Sequence, residues 1–115
     1  MEIIRVNDFN FLERTKEFDQ LIITFSAQWC GKYTLVKPRL KQIARSYKGE
    51  VSFFEAFIED IPKLREKFDV VHLPVTFAFN QGTIVAKTHR LDKASLLSLL
   101  KLVSMSAEFN VIVRV

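Results

Sequence analysis

The sequence predicts an α/β domain with a central mixed sheet of about five strands flanked by helices on both faces. Three observations carry this expectation. The runs Leu21 to Ala27 and Val51 to Ile58 are apolar almost without interruption over strand length, the pattern of strands covered on both faces. Apolar residues recur at helical spacing at Leu35, Val36, Leu40, Ile43 and Ala44, and again at Leu96, Leu97, Leu99, Leu100 and Val103. Val75 to Phe79 and Thr83 to Thr88 flank Asn80-Gln81-Gly82, a hairpin signal. Strands alternating with helices and ending in a hairpin require parallel and antiparallel pairs in one sheet.

Ile3, Ile4 and Val6 begin the chain as a short strand, after which Asn7 or Asp8 caps a helix through about Phe18 with Phe9, Leu12 and Phe18 facing inward. The helix from Gly31 to Tyr47 contains Pro38, which removes one hydrogen bond and favours a kink, and Gly49 stops it. Ile61 to Phe68 reads as a short helix, and Asp92 caps the last one. Glu108 to Val115 is either an extra C-terminal strand, with Val111, Val113 and Val115 on one side, or an apolar chain end.

A hydrophobic fraction of 49% over 115 residues is enough for one core, so a single domain spanning residues 1–115 is expected. Eleven phenylalanines against three glycines and three prolines exclude a linker-dominated or disordered chain. The net charge of +4 is spread among acids. Its densest stretch, Lys37, Arg39, Lys41, Arg45 and Lys48, reads as a solvated helix face, so no nucleic-acid partner is expected. The N-terminal residues lack the basic start and apolar run of a secretory signal, and no stretch is long enough to span a bilayer. One cysteine, Cys30, permits no internal disulfide, which favours the cytoplasm. Neither Cys30 nor His72 and His89 show metal-ligand spacing, so no metal is expected, and no cofactor is implied. The oligomeric state is left open.

An apolar strand running into Trp29-Cys30-Gly31 and then a helix places the sulfur at a helix N-terminus, where free N–H groups and the helix dipole favour a thiolate. Lys32 adds positive potential there. Without that context, a lone cysteine reads as a small buried hydrophobe.

The segment Phe25-Ser26-Ala27-Gln28-Trp29-Cys30-Gly31-Lys32-Tyr33 resembles the active-site stretch of the thioredoxin family, with Pro38 at the position of its helix proline. Leu73-Pro74-Val75-Thr76-Phe77 followed by Asn80-Gln81-Gly82 resembles that family's cis-proline strand and hairpin. The resemblance runs from about residue 1 to about residue 103 and implies a thioredoxin-like fold. It also implies a cis peptide before Pro74, Cys30 as the nucleophile, and an apolar docking groove at Trp29, Cys30, Leu73 and Pro74 in which the Leu73 backbone pairs with an extended peptide.

The family pattern fails at the second cysteine, where this chain has Tyr33. In a dithiol site the neighbouring sulfur resolves the mixed disulfide, a step tyrosine cannot perform. Thr24 stands where the family keeps a buried aspartate, and Glu55 where it keeps the partnering lysine. Glu55 either replaces the aspartate or points outward. Lys32 replaces the usual proline, and His89 with Arg90 replaces a glycine at the groove. His72 and His89 are either bases for Cys30 or surface histidines. Two functions are therefore expected in competition. One is a protein- or peptide-binding module in which Trp29, Gly31, Tyr33, Leu73 and Pro74 form the surface. The other is a monothiol redox protein exchanging mixed disulfides at Cys30 with glutathione or client proteins.

Overall fold

The computed structural model describes residues 2–109, and the side chains of residues 2–105. The chain forms β1 (Ile3–Arg5), α1 (Phe11–Thr15), β2 (Gln20–Ser26), α2 (Gly31–Ser46), β3 (Ser52–Phe57), α3 (Pro62–Lys67), β4 (Val75–Asn80), β5 (Thr83–Thr88) and α4 (Lys93–Phe109), with one 3-10 turn at Ile58–Asp60. The sheet order is β1-β3-β2-β4-β5. β3 runs parallel to β1 and β2, while β4 is antiparallel to β2 and β5.

Side chains of a strand alternate between faces, so each central strand feeds two cores. Ile22, Phe53 and Phe57 pack with Leu40, Ile43 and Ala44 of α2 and with Leu96, Leu99, Leu100 and Val103 of α4. Leu21, Ile23, Phe25, Phe54 and Phe77 pack on the opposite face with Phe11 of α1 and Leu64 of α3. Phe68 anchors that side, with Phe11, Phe25, Phe77 and Phe79 rings 5.6–6.0 Å from its own.

One register row of this sheet is polar. Arg5 pairs with Glu55, Glu55 with Thr24, Thr24 with Thr76 and Thr76 with Thr88. The period of two puts Glu55 on the same face as Phe53 and Phe57, under α2. Glu55 therefore points into the protein and not outward.

Two sequence expectations about the helices need correction. The helix expected from Asn7 or Asp8 through Phe18 has only the five residues of α1, and it buries Phe11 while Phe9 is 94% and Leu12 70% exposed. Asn7 holds an Asx turn through the N–H groups of Phe9 and Asn10, and Asp8 accepts the N–H groups of Lys63 and Leu64 at 2.8 and 3.0 Å. Asp8 thus caps the first turn of α3 and draws the chain away from an early start to α1. The second correction concerns the end of α2. That helix stops because Tyr47 turns extended, its hydroxyl 2.8 Å from Ser104 Oγ and its ring against Phe53. Gly49 serves to leave room, since a Cβ there would collide with the Tyr47 ring.

Asp92 caps α4 as expected, accepting the Ser95 N–H at 3.1 Å. Of the expected C-terminal strand, residues 108 and 109 belong to α4, and 110–115 lie outside the described residues. The hairpin turns through Gln81 and Gly82, both at positive φ (51° and 81°), the left-handed pair that matches strand twist. Gly82→Ala meets no neighbour within 4 Å, so its cost is backbone strain alone. That cost is about 1 kcal/mol and is expected as a lowered midpoint in urea with unchanged slope.

Candidate functional site

β2 ends at Ser26, and Cys30 is the N-cap residue of α2. Its N–H donates to Ala27 O at 3.0 Å, and its carbonyl accepts the Thr34 N–H and Oγ1, each at 3.2 Å. Cys30 is 7% exposed and belongs to the core under α2 and α4, against which Leu73 also packs. Trp29 stands out at 71% exposure, and Gly31 opens α2 with free space where a Cβ would be.

The Leu73–Pro74 peptide bond is cis. Among the described residues, the N–H and C=O of Leu73 make no hydrogen bond, so the bend that leads into β4 presents unpaired backbone groups. An open groove of about 530 Å³ runs beside it. Leu35, Leu73, Pro74 and Leu91 make it apolar, and Leu35 is 83% exposed. Lys32 and Arg39 of α2, His72 and His89 line the same groove. The two imidazoles meet edge to face, with ring centroids 6.3 Å apart. Asp92 is the acid in the lining. Its carboxylate takes the Ser95 hydroxyl and N–H at 2.8 and 3.1 Å and lies 3.3 Å from Arg90 Nε, which together hold its carboxyl below the usual range.

Of the residues singled out from sequence, Lys32, His72, Leu73, Pro74 and His89 come together in this groove, whereas Trp29, Cys30 and Gly31, expected on the same docking surface, do not line it. Nor does Tyr33. It points the other way, buried beneath α2, with its ring 6.1 Å from Phe57 and its hydroxyl donating to Glu55 Oε1 at 2.6 Å. Tyr33 borders a separate cavity of about 570 Å³ on the far side of α2, shared with Arg5, Lys37 and Lys41.

Glu55 is the centre of a buried polar cluster. Tyr33 and Lys37 reach Oε1 at 2.6 and 2.9 Å, while Arg5 Nε and Lys37 reach Oε2 at 2.9 and 3.1 Å. Burial pushes the Glu55 carboxyl up, but donation from Tyr33, Lys37 and Arg5 outweighs it and holds the group below its ordinary value. Tyr33 shows the reverse. Burial first, then the bond to the Glu55 carboxylate, raise its phenol far above the usual value, so the hydroxyl stays protonated and donating. Thr24 takes no part in this cluster and bonds instead to Thr76, Oγ1 to Oγ1, at 2.9 Å.

Sequence reasoning missed Arg5 and Lys37. Lys37 follows Tyr33 by four residues and therefore shares its helix face, a signal available from spacing. The basic stretch on α2 is accordingly not one solvated face. Lys37 pairs with Glu55, Arg39 faces the Pro74 groove, and Arg45 lies 3.9 Å from Glu2. Among the described residues no group of three or more His, Cys, Asp or Glu side chains is placed to hold a metal ion, and no helix is long and apolar enough to cross a membrane.

The family model described as Thioredoxin matches residues 2–102. A thioredoxin of Staphylococcus haemolyticus is 31% identical over 87 residues, covering 76% of this chain and 83% of the relative. One from Staphylococcus aureus is 29% identical over the same shares. Spinach chloroplast thioredoxin f superposes with a TM-score of 0.82 at 18% identity, over 90% of this chain and 87% of that one. Mitochondrial thioredoxin 3 of Saccharomyces cerevisiae gives 0.77 at 23% identity, over 86% and 93%. With Cys30 at the head of α2, a cis Leu73–Pro74 bond beside an open groove, and the Thioredoxin model matching residues 2–102, this chain belongs to the thioredoxin family.

Proposed function

We propose that this thioredoxin-family protein has left dithiol chemistry and serves as a protein- or peptide-docking module in the cytoplasm, its clients lying along the Leu73–Pro74 edge. The observation that carries the reading is Tyr33. At the position of the resolving sulfur stands a buried phenol anchored to Glu55, with no thiol to return an electron pair to a mixed disulfide. Thr24, at the place of the family's aspartate, is engaged with Thr76. The unpaired Leu73 backbone and the apolar groove supply what docking requires, free backbone groups and pockets for side chains.

Retention of Cys30 with Leu73 packed against the same core favours a second reading, monothiol exchange. There the Cys30 thiolate attacks a client disulfide, the Cys30–S–S–client bond forms, and the other client sulfur leaves as thiolate. A glutathione thiolate then attacks that bond, forming a glutathione–client disulfide and releasing Cys30 as thiolate.

Both readings are tested by measuring insulin-disulfide reduction, glutathione-dependent exchange and binding of short cysteine-free peptides, in the wild type and Cys30→Ala. Docking predicts no turnover in either assay and peptide affinities within about twofold between the two proteins. Glutathione-dependent turnover that vanishes in Cys30→Ala sinks the pure docking reading and establishes the second.

A further inference from the structure

We propose that the groove beside Pro74 takes an extended acidic segment of a partner protein. This deepens the docking reading and rests on it. The groove floor is apolar, built by Leu73, Pro74 and Leu91, and its α2 wall carries two permanent cations, Lys32 and Arg39. Neither has an acidic partner among the described residues. The one acid in the lining, Asp92, is already held by Ser95 and Arg90. That single negative charge also caps α4 and pairs with Arg90, so the lining keeps an excess of positive charge.

The contrast within α2 is informative. Lys37 turns inward and is matched by Glu55, whereas Lys32 and Arg39, on the groove side, are left unmatched. Unpaired cations around an apolar floor attract an acidic ligand and repel a basic one, so they act on partner choice and association rate. A peptide lying extended along Leu73 projects alternate side chains to one face. Apolar residues then fill the floor while acidic residues on either side reach Lys32 and Arg39. A nucleic acid fits less well, because it requires cations that follow a continuous phosphate backbone, and here two cations border an apolar surface.

The test is fluorescence anisotropy with three cysteine-free peptides that share one apolar centre and are flanked by Glu, Gln or Lys. The Glu-flanked peptide is expected to bind about tenfold tighter than the Gln-flanked one at low salt, with the Lys-flanked one weakest. That advantage should fall steeply at about 0.5 M salt. The combined Lys32→Glu and Arg39→Glu variant should invert the order, and Lys32→Gln with Arg39→Gln should level it. Both positions are exposed, and thermal melts check that the variants fold. Equal binding of the Glu- and Gln-flanked peptides overturns the acidic preference and leaves docking intact. Binding of none of the peptides overturns both. A single-stranded oligothymidine that outcompetes the Glu-flanked peptide overturns the proposal in favour of a nucleic acid, and an order unchanged in the charge-reversed variant overturns the assignment to this groove.

Discussion

Glu55→Ala is expected to lower stability at neutral pH by about 3 kcal/mol, the loss that follows when one partner leaves a buried charged cluster. Two of the donors, Arg5 and Lys37, keep side-chain exposures of 52% and 26% and can turn to water, so they account for the smaller part. The larger part falls on Tyr33, whose hydroxyl has Glu55 as its hydrogen-bond partner and would be stranded under α2. Tyr33→Phe alone should cost about 1.5 kcal/mol. In the Glu55→Ala background the same change should cost nothing or restore some stability, because it removes the stranded hydroxyl. A double-mutant cycle in urea reads the coupling, and additive losses would show that the two side chains do not hold each other.

The same pair sets how stability depends on pH. The Glu55 carboxyl in the folded protein lies below its unfolded value of 4.5, so its contribution is complete above about pH 4.5 and is lost as pH falls through the lower folded value. Glu55→Gln should lack this acid-side component. Tyr33 lies above its unfolded value of 10, so its contribution is present below pH 10 and declines as pH rises beyond it. Tyr33→Phe should flatten that alkaline limb and also shrink the acid limb, because it removes the largest of the donations that hold the Glu55 carboxyl down.

The strands were readable because continuous apolar runs at Leu21 to Ala27 and Val51 to Ile58 leave no polar face to expose. That same fact decides Glu55: a strand buried on both sides has no outward direction, and a carboxylate within it requires donors. What spacing could not supply was their identity. Arg5 is 50 residues away along the chain and arrives through the β1–β3 register, which depends on the whole sheet order. α1 was misread for a related reason. Asn7 and Asp8 both look like caps in isolation, and only the tertiary contact shows Asp8 committed to Lys63 and Leu64 of α3. Cys30, Lys32, Leu73 and Pro74 were legible because local chain order carries them, two on the start of α2 and two just before β4. Tyr33 was legible as a substitution but not in direction, since the turn of α2 that puts Lys32 in the groove sends its neighbour to the opposite side.

Tyr33→Cys should move the protein furthest, by supplying a second sulfur able to resolve a mixed disulfide formed at Cys30. Residues three apart on a helix have Cβ atoms about 5–6 Å apart, close enough for small adjustments to bring two sulfurs into bonding distance. After Cys30 forms a mixed disulfide, the new thiolate attacks the Cys30 sulfur, an internal disulfide forms, and the client leaves as thiolate. An intramolecular thiol acts at effective molarities that reach about 10⁵ M or more in well-oriented cases, against millimolar glutathione, so release should accelerate by several orders of magnitude. The substitution also removes a buried ring from Phe57 and the donor from Glu55, at a cost of about 3 kcal/mol, so the assay belongs well below the variant's melting temperature. Stopped-flow measurement of client release from a preformed Cys30 mixed disulfide, in wild type and variant, reads the effect. Equal rates would mean that the buried phenol is not what separates this chain from dithiol turnover, and that the exchange of Asp for Thr24 beside Thr76 is the deeper block.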